Sequence, residues 1–181
     1  MSHNELRDLL DTLRGQRRHV LGILAGLSDA DLRRPMLPSR WSCLGLVNHL
    51  ALDVELFWFR AVVAGDPAAI AELAPLADAW QIDPDVPARR IVAGYSEQGE
   101  LANAALVGIS LDAAPAWWPV GQFGDWRLHT NREVLLHAIT ETACHAGHLD
   151  AARELLDGSQ WFVLAERPSG LAVSGGRGGN G

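Results

Sequence analysis

From about Asn4 to Leu27 the apolar positions keep helical spacing: Leu6, Leu9, Leu10, Leu13, Val20, Leu21, Leu24 and Leu27 share one face, and charges fill the other. The pattern predicts a first long helix. "SDADLRRPMLPSR" then breaks it, because Ser28 can cap a short turn while Pro35 and Pro38 stop a longer helix. Ser42 is a suitable N-cap for a second helix, "CLGLVNHLALDVELFWFRAVVAG", expected to end near Gly65 with Asp66 and Pro67 behind it. The following "AELAPLADAWQIDPDVPA", rich in Pro and Asp, reads mostly as loop. A third helix is predicted from about Ala88 to Val107, carrying Ile91, Tyr95, Leu101 and Leu106. The segment "DAAPAWWPVGQFGDWRLHT" is full of Pro, Gly and Trp and reads as an ordered connection. "TNRE", Thr130 to Glu133, has the form of a capping box that opens a fourth helix running to Asp157.

Strand signals are sparse. Helices of roughly 20 residues are about 30 Å long, and such rods pack as a bundle. The expected fold is therefore all-α, a four-helix bundle with long crossover connections that let non-neighbouring helices pair. A chain of 181 residues suffices for one sizeable core and is short for two. One domain is expected over residues 1–165, followed by a flexible Gly-rich tail, 166–181, whose "SGGRGGNG" cannot bury anything.

Composition narrows the function classes. The 22 acidic against 15 basic residues give a net charge of −7, which argues against nucleic acid as the main partner. No apolar run reaches membrane-spanning length, and the N-terminus carries Glu and Asp where a signal peptide would carry an apolar core, so no membrane partner and a cytoplasmic location are expected. Every basic residue is arginine, a bias compatible with a GC-rich genome. Two cysteines are too few for a disulfide framework. Cys43 sits at a helix N-terminus, where a thiol pKa can fall, although a structural role is the favoured reading. Cys144 points away from its histidine neighbour and is expected to be buried.

The fourth helix carries an unusual stripe. On an ideal helix, residues four apart differ by about 40° and about 6 Å along the axis, so Glu141 and His145 lie on one line. His148 returns to the same side, and His137 lies four before Glu141. A buried carboxylate is costly without a partner, and a divalent cation held together with neutral imidazoles removes that cost. A further ligand should come from a facing helix, where His49 sits among Leu46, Val47, Leu50 and Leu52. The spacing alone leaves two other readings open: a Glu–His pair that only stabilises its helix, and a hydrogen-bonded core histidine. Asp53, four after His49, could fix that imidazole's tautomer or be a solvated charge; His148 could support a ligand, touch substrate or do neither. Glu55 and Arg60 read as surface residues or salt-bridge partners, and His3, His19 and His129 as surface or loop residues.

Two segments, "PSRWSCLGLVNHLALDVELFWFR" and "REVLLHAITETACHAGHLDAARELLDG", resemble the DinB-like, YfiT-like superfamily of metal-dependent four-helix bundles, particularly its actinobacterial branch of mini-circle-protein relatives and mycothiol-dependent enzymes. The likeness extends over roughly residues 4–160. It implies a metal held by His49, Glu141 and His145, zinc foremost, with nickel, iron or manganese as alternatives. The Glu resembles the His, Glu, His set of mycothiol-dependent maleylpyruvate isomerase. That enzyme has a further C-terminal domain contributing to its site, and only a short apolar piece and the Gly-rich tail follow Gly158, so isomerisation is not expected.

What the resemblance implies instead is thiol S-transfer: a small thiol such as mycothiol, bound at the open coordination position, loses its proton and attacks a small electrophile. The alternatives are a metal-dependent hydrolase using bound water and a non-enzymatic, stress-associated metal-binding protein. A homodimer is suggested by the family alone.

Overall fold

The computed structural model describes residues 2–73 and 78–161, with side chains from Glu5 onward. The predicted tail at 166–181 and the His3 side chain lie outside these. The described residues form helices and loops without a named strand; Met36 and Trp41 make an isolated bridge. No helix among them is long and apolar enough to cross a membrane.

Helix α1 spans Ser2–Leu24 and buries Leu13, Val20, Ile23 and Leu24. Ser28 caps the short α2, Asp29–Arg33, by accepting a hydrogen bond from the Asp31 amide. Ser42 does the same for α3, Cys43–His49, accepting from the Gly45 amide at 3.0 Å. At Leu50 the rod passes without a break into π-helix, which continues to Val63. The sequence pattern predicts ordinary α-helix there. Twelve of these 14 residues are buried, so the segment is apolar on nearly every face, and a period cannot be read from it.

Helix α4, Pro67–Leu73, corrects the sequence reading, which assigned its last turn to a loop. Its start follows from local chemistry: Asp66 Oδ1 accepts from the Ala68 amide, and proline is well placed in a first turn, where its missing N–H is not needed. Helices α5, Ala88–Ala105, and α6, Asn131–Asp157, match their predicted positions within two residues. Thr130 accepts from the Glu133 amide, and Gly158 ends α6 with φ 76°, a left-handed conformation that glycine adopts without strain.

Helix α1 packs along α6, while α3 and its π-helical continuation lie between α5 and α6. The first and last helices are thus partners, as the long connections permit. Two polar groups that read as surface residues or salt-bridge partners are the latter, and lie in this core. Glu55 is fully buried and grips Arg17 of α1 through both carboxylate oxygens, at 2.6 and 2.5 Å, and Arg17 also donates to Asn103 of α5 at 2.6 Å. Arg60, also buried, donates to Asp66 and Gln98.

Candidate metal centre

Three side chains from two rods meet at one point. His49 ends the α-helical part of the second rod, and Glu141 and His145 occupy successive turns of α6. One ligand atom from each lies within 4.8 Å of the others. The His49 Nε2 atom is 3.6 Å from Glu141 Oε1, and His145 Nε2 is 3.2 Å from the same oxygen. Ligand atoms about 2.1 Å from a tetrahedral ion are about 3.4 Å from one another, so these separations match two edges of such a shell.

The hydrogen bonding around the trio sorts the ring nitrogens. His49 Nδ1 lies 2.7 Å from Asp53 Oδ2. A carboxylate only accepts, so that nitrogen carries the proton, and in the neutral ring Nε2 is left with a lone pair. Nε2 is buried and has no hydrogen-bond partner, and 3.6 Å to Glu141 is too long to be one. An orphaned buried acceptor facing a carboxylate oxygen and a second imidazole is the environment a cation satisfies. His145 differs: its Nε2 is hydrogen-bonded to Glu141 Oε1 at 3.2 Å, with the carboxylate accepting, and its Nδ1 lies 3.3 Å from His148 Nδ1, so a cation would take the place of the Nε2 proton. Burial, reinforced by the neighbouring His49, lowers the His145 pKa despite the opposing pull of Glu141. The ring therefore favours its neutral form, the one with a lone pair to give.

Among the described residues, the chain supplies a lid that sequence reasoning missed. Trp80 stacks on His49 with ring centroids 4.5 Å apart and planes 19° from parallel, and its edge meets His145 at 5.8 Å. Its loop is anchored to α3 by Asn48, which donates to Ala79 O at 2.8 Å. It can lie this close because position 45 is glycine: a Cβ there would come within 2.7 Å of the Trp80 carbonyl oxygen. The only sequence trace of this closure is the Gly45 and Asn48 spacing in "GLVNHL", which nothing local connects to Trp80.

The remaining candidates separate clearly. Asp53 and His148 touch the trio as described, and His137 lies one turn before Glu141, against Trp58 rather than within the cluster. His19 is not a plain surface residue: its Nε2 lies 2.8 Å from Asp150, and Trp161 stacks on its ring. Cys144, expected to be buried, is exposed; the 100° step that turns it from His145 points it to solvent. Cys43 is buried, and desolvation pushes its thiol up to about 11, overriding any help from the helix N-terminus.

Fold and site together define a helical bundle carrying a His–Glu–His cluster that could hold a cation. The chain belongs to the Mycothiol-S-transferase family, whose model it matches over residues 8–158, in keeping with the resemblance of its two motif segments. No curated protein and no solved structure matches it.

Proposed function

We propose that the protein is a metal-dependent mycothiol S-transferase in which His49, Glu141 and His145 hold one divalent ion, zinc foremost. The observation that carries the reading is the buried, unpartnered Nε2 of His49, turned toward Glu141 while Asp53 holds the opposite nitrogen. Two imidazoles and a carboxylate form a donor set suited to zinc, and three protein donors leave a coordination position open. The ion, when bound, supplies the positive charge that favours thiolate over thiol at that position.

The chain's own residues do the rest. Asp53 keeps the His49 imidazole in the tautomer that presents Nε2, and His148 lies against the Nδ1 of His145. Trp80 covers one side of His49 and excludes water there. Glu141, about a third exposed, keeps the site open to small molecules.

Elemental analysis of natively purified protein is expected to find about one ion per chain, as a single three-ligand site requires. His49→Ala should abolish stoichiometric metal and reduce mycothiol-dependent conjugation by at least about 100-fold, the upper range even for loss of a group behind a ligand. Full metal content and undiminished conjugation in that variant would overturn the assignment.

A further inference from the structure

A cleft of about 320 Å³ opens beside Glu141 and His49, between the π-helical segment, α6 and the loop before α6. Aromatic rings form its walls. Trp58 and Phe123 face each other nearly parallel, 16° apart with centroids at 5.9 Å, and Phe57 stands perpendicular to Phe123 at 6.0 Å. His137 meets Trp58 edge-on at 4.9 Å and is backed by Trp126 at 5.6 Å. Apart from the candidate metal centre and Asp53, the polar groups lining the cleft are His137 and Gln122.

A second cleft, about 560 Å³, lies on the Trp80 side and differs in character. Trp41, Trp80 and Ile82 form part of its wall, but it also carries Arg33, Arg40, Asp78, Ser39 and Ser42, and it includes none of the trio. A polar molecule keeps its hydrogen bonds there and would lose them among the rings. A flat apolar molecule gains by leaving water for the aromatic walls, where offset and edge-to-face contacts favour ring systems.

We infer that the aromatic cleft is the subsite of the electrophile and selects compact planar electrophiles, of one or two rings, over small aliphatic ones. This rests on the thiol-transfer reading of the site. The size limit follows from volume: a dry cavity of about 150 Å³ holds benzene, so the cleft has room for about two rings. With a haloarene the thiol sulfur donates its electron pair to the ring carbon. The C–S bond forms, the halide leaves with the electrons of the carbon–halogen bond, and the thiol proton passes to water. Charge that builds on a nitro or carbonyl oxygen in between is met by hydrogen bonds from His137 and Gln122.

The test uses Phe123→Leu, which keeps an apolar side chain at a partly buried loop position and removes the ring. In the protein as purified, without thiol, the unreactive 1,3-dinitrobenzene is expected to quench tryptophan fluorescence saturably, and the variant to bind it up to about tenfold more weakly. With mycothiol present, the variant should raise KM for chlorodinitrobenzene by a similar factor, leave kcat within about twofold and leave conjugation of iodoacetamide unchanged. Gln122→Ala should lower kcat for chlorodinitrobenzene and not for iodoacetamide. Equal dinitrobenzene binding by wild type and Phe123→Leu, or equal losses with both electrophiles, overturns the subsite while leaving thiol transfer standing. Saturable dinitrobenzene binding that Phe123→Leu weakens, with no conjugation of either electrophile, supports the cleft as a planar-ligand site and counts against thiol transfer.

Discussion

At the residue scale, the site depends on which nitrogen of each imidazole carries a proton. Asp53 decides this for His49 although Asp53 itself is about half exposed, because its oxygen lies 2.7 Å from Nδ1. Asp53→Asn keeps the shape and removes the charge, so the amide can present either a donor or an acceptor and the tautomer is no longer fixed. Zinc affinity, measured by competition with a chromogenic chelator, should fall about 10- to 100-fold. An affinity unchanged by the substitution would show that the carboxylate is only a solvated neighbour. The pairing of Asp53 with His49 could be suspected from their four-residue spacing. The stacking of Trp80 on the other face could not, since its loop reaches α3 only through the tertiary fold.

At the element scale, α6 does more than carry Glu141 and His145. Arg153, near its end, is buried and donates to the carbonyls of Ile23 and Ala25 at 2.6 and 2.8 Å. It thereby satisfies one carbonyl of the last turn of α1 and one just past its end, where helical partners run out. It also pairs with Asp157, holding that carboxyl below its usual range through a hydrogen bond. Arg153→Met should cost about 1.5–3 kcal/mol, the value of hydrogen bonds to a charged group. For a domain of this size that is a fall in Tm of about 3–12 °C, measurable by calorimetry. The folded pKa of Asp157 is depressed, so its contribution is present above the unfolded value of 3.8 and is lost as pH falls through the folded value. The gap between variant and wild type should therefore narrow in acid. A variant with unchanged Tm would remove the capping role.

At the scale of the whole molecule, Arg17, Glu55 and Asn103 tie α1, the π-helical segment and the last turn of α5 together. Burial pushes the Glu55 carboxyl up, and the Arg17 guanidinium opposes it. Arg17→Met leaves the carboxyl buried without its partner, at a cost of about 3–5 kcal/mol. In that variant the folded pKa of Glu55 lies further above its unfolded value, so the folded state holds a proton that the unfolded chain releases. Stability then falls as pH rises through that window, and urea unfolding should show a larger deficit at pH 8 than at pH 5. A deficit below about 1 kcal/mol at both pH values would mean that the pair contributes little beyond mutual neutralisation.

The sequence by itself determined the positions of the long helices, because spacing and caps act within a few residues: Ser28, Ser42, Thr130 and Gly158 end or begin helices where their chemistry says. It also determined that Glu141 and His145 share a stripe, since one helical turn sets that relation. Only the tertiary structure decided that His49 faces them, that Trp80 closes over it, and that the rings of Trp58 and Phe123 border the same point. It alone decided, too, that Leu50–Val63 winds as π-helix and that Glu55, Arg60 and Arg153 lie inside. These features join groups far apart along the chain or concern a segment apolar on nearly all sides. Their placement depends on which surfaces pack together, and no local pattern records that choice.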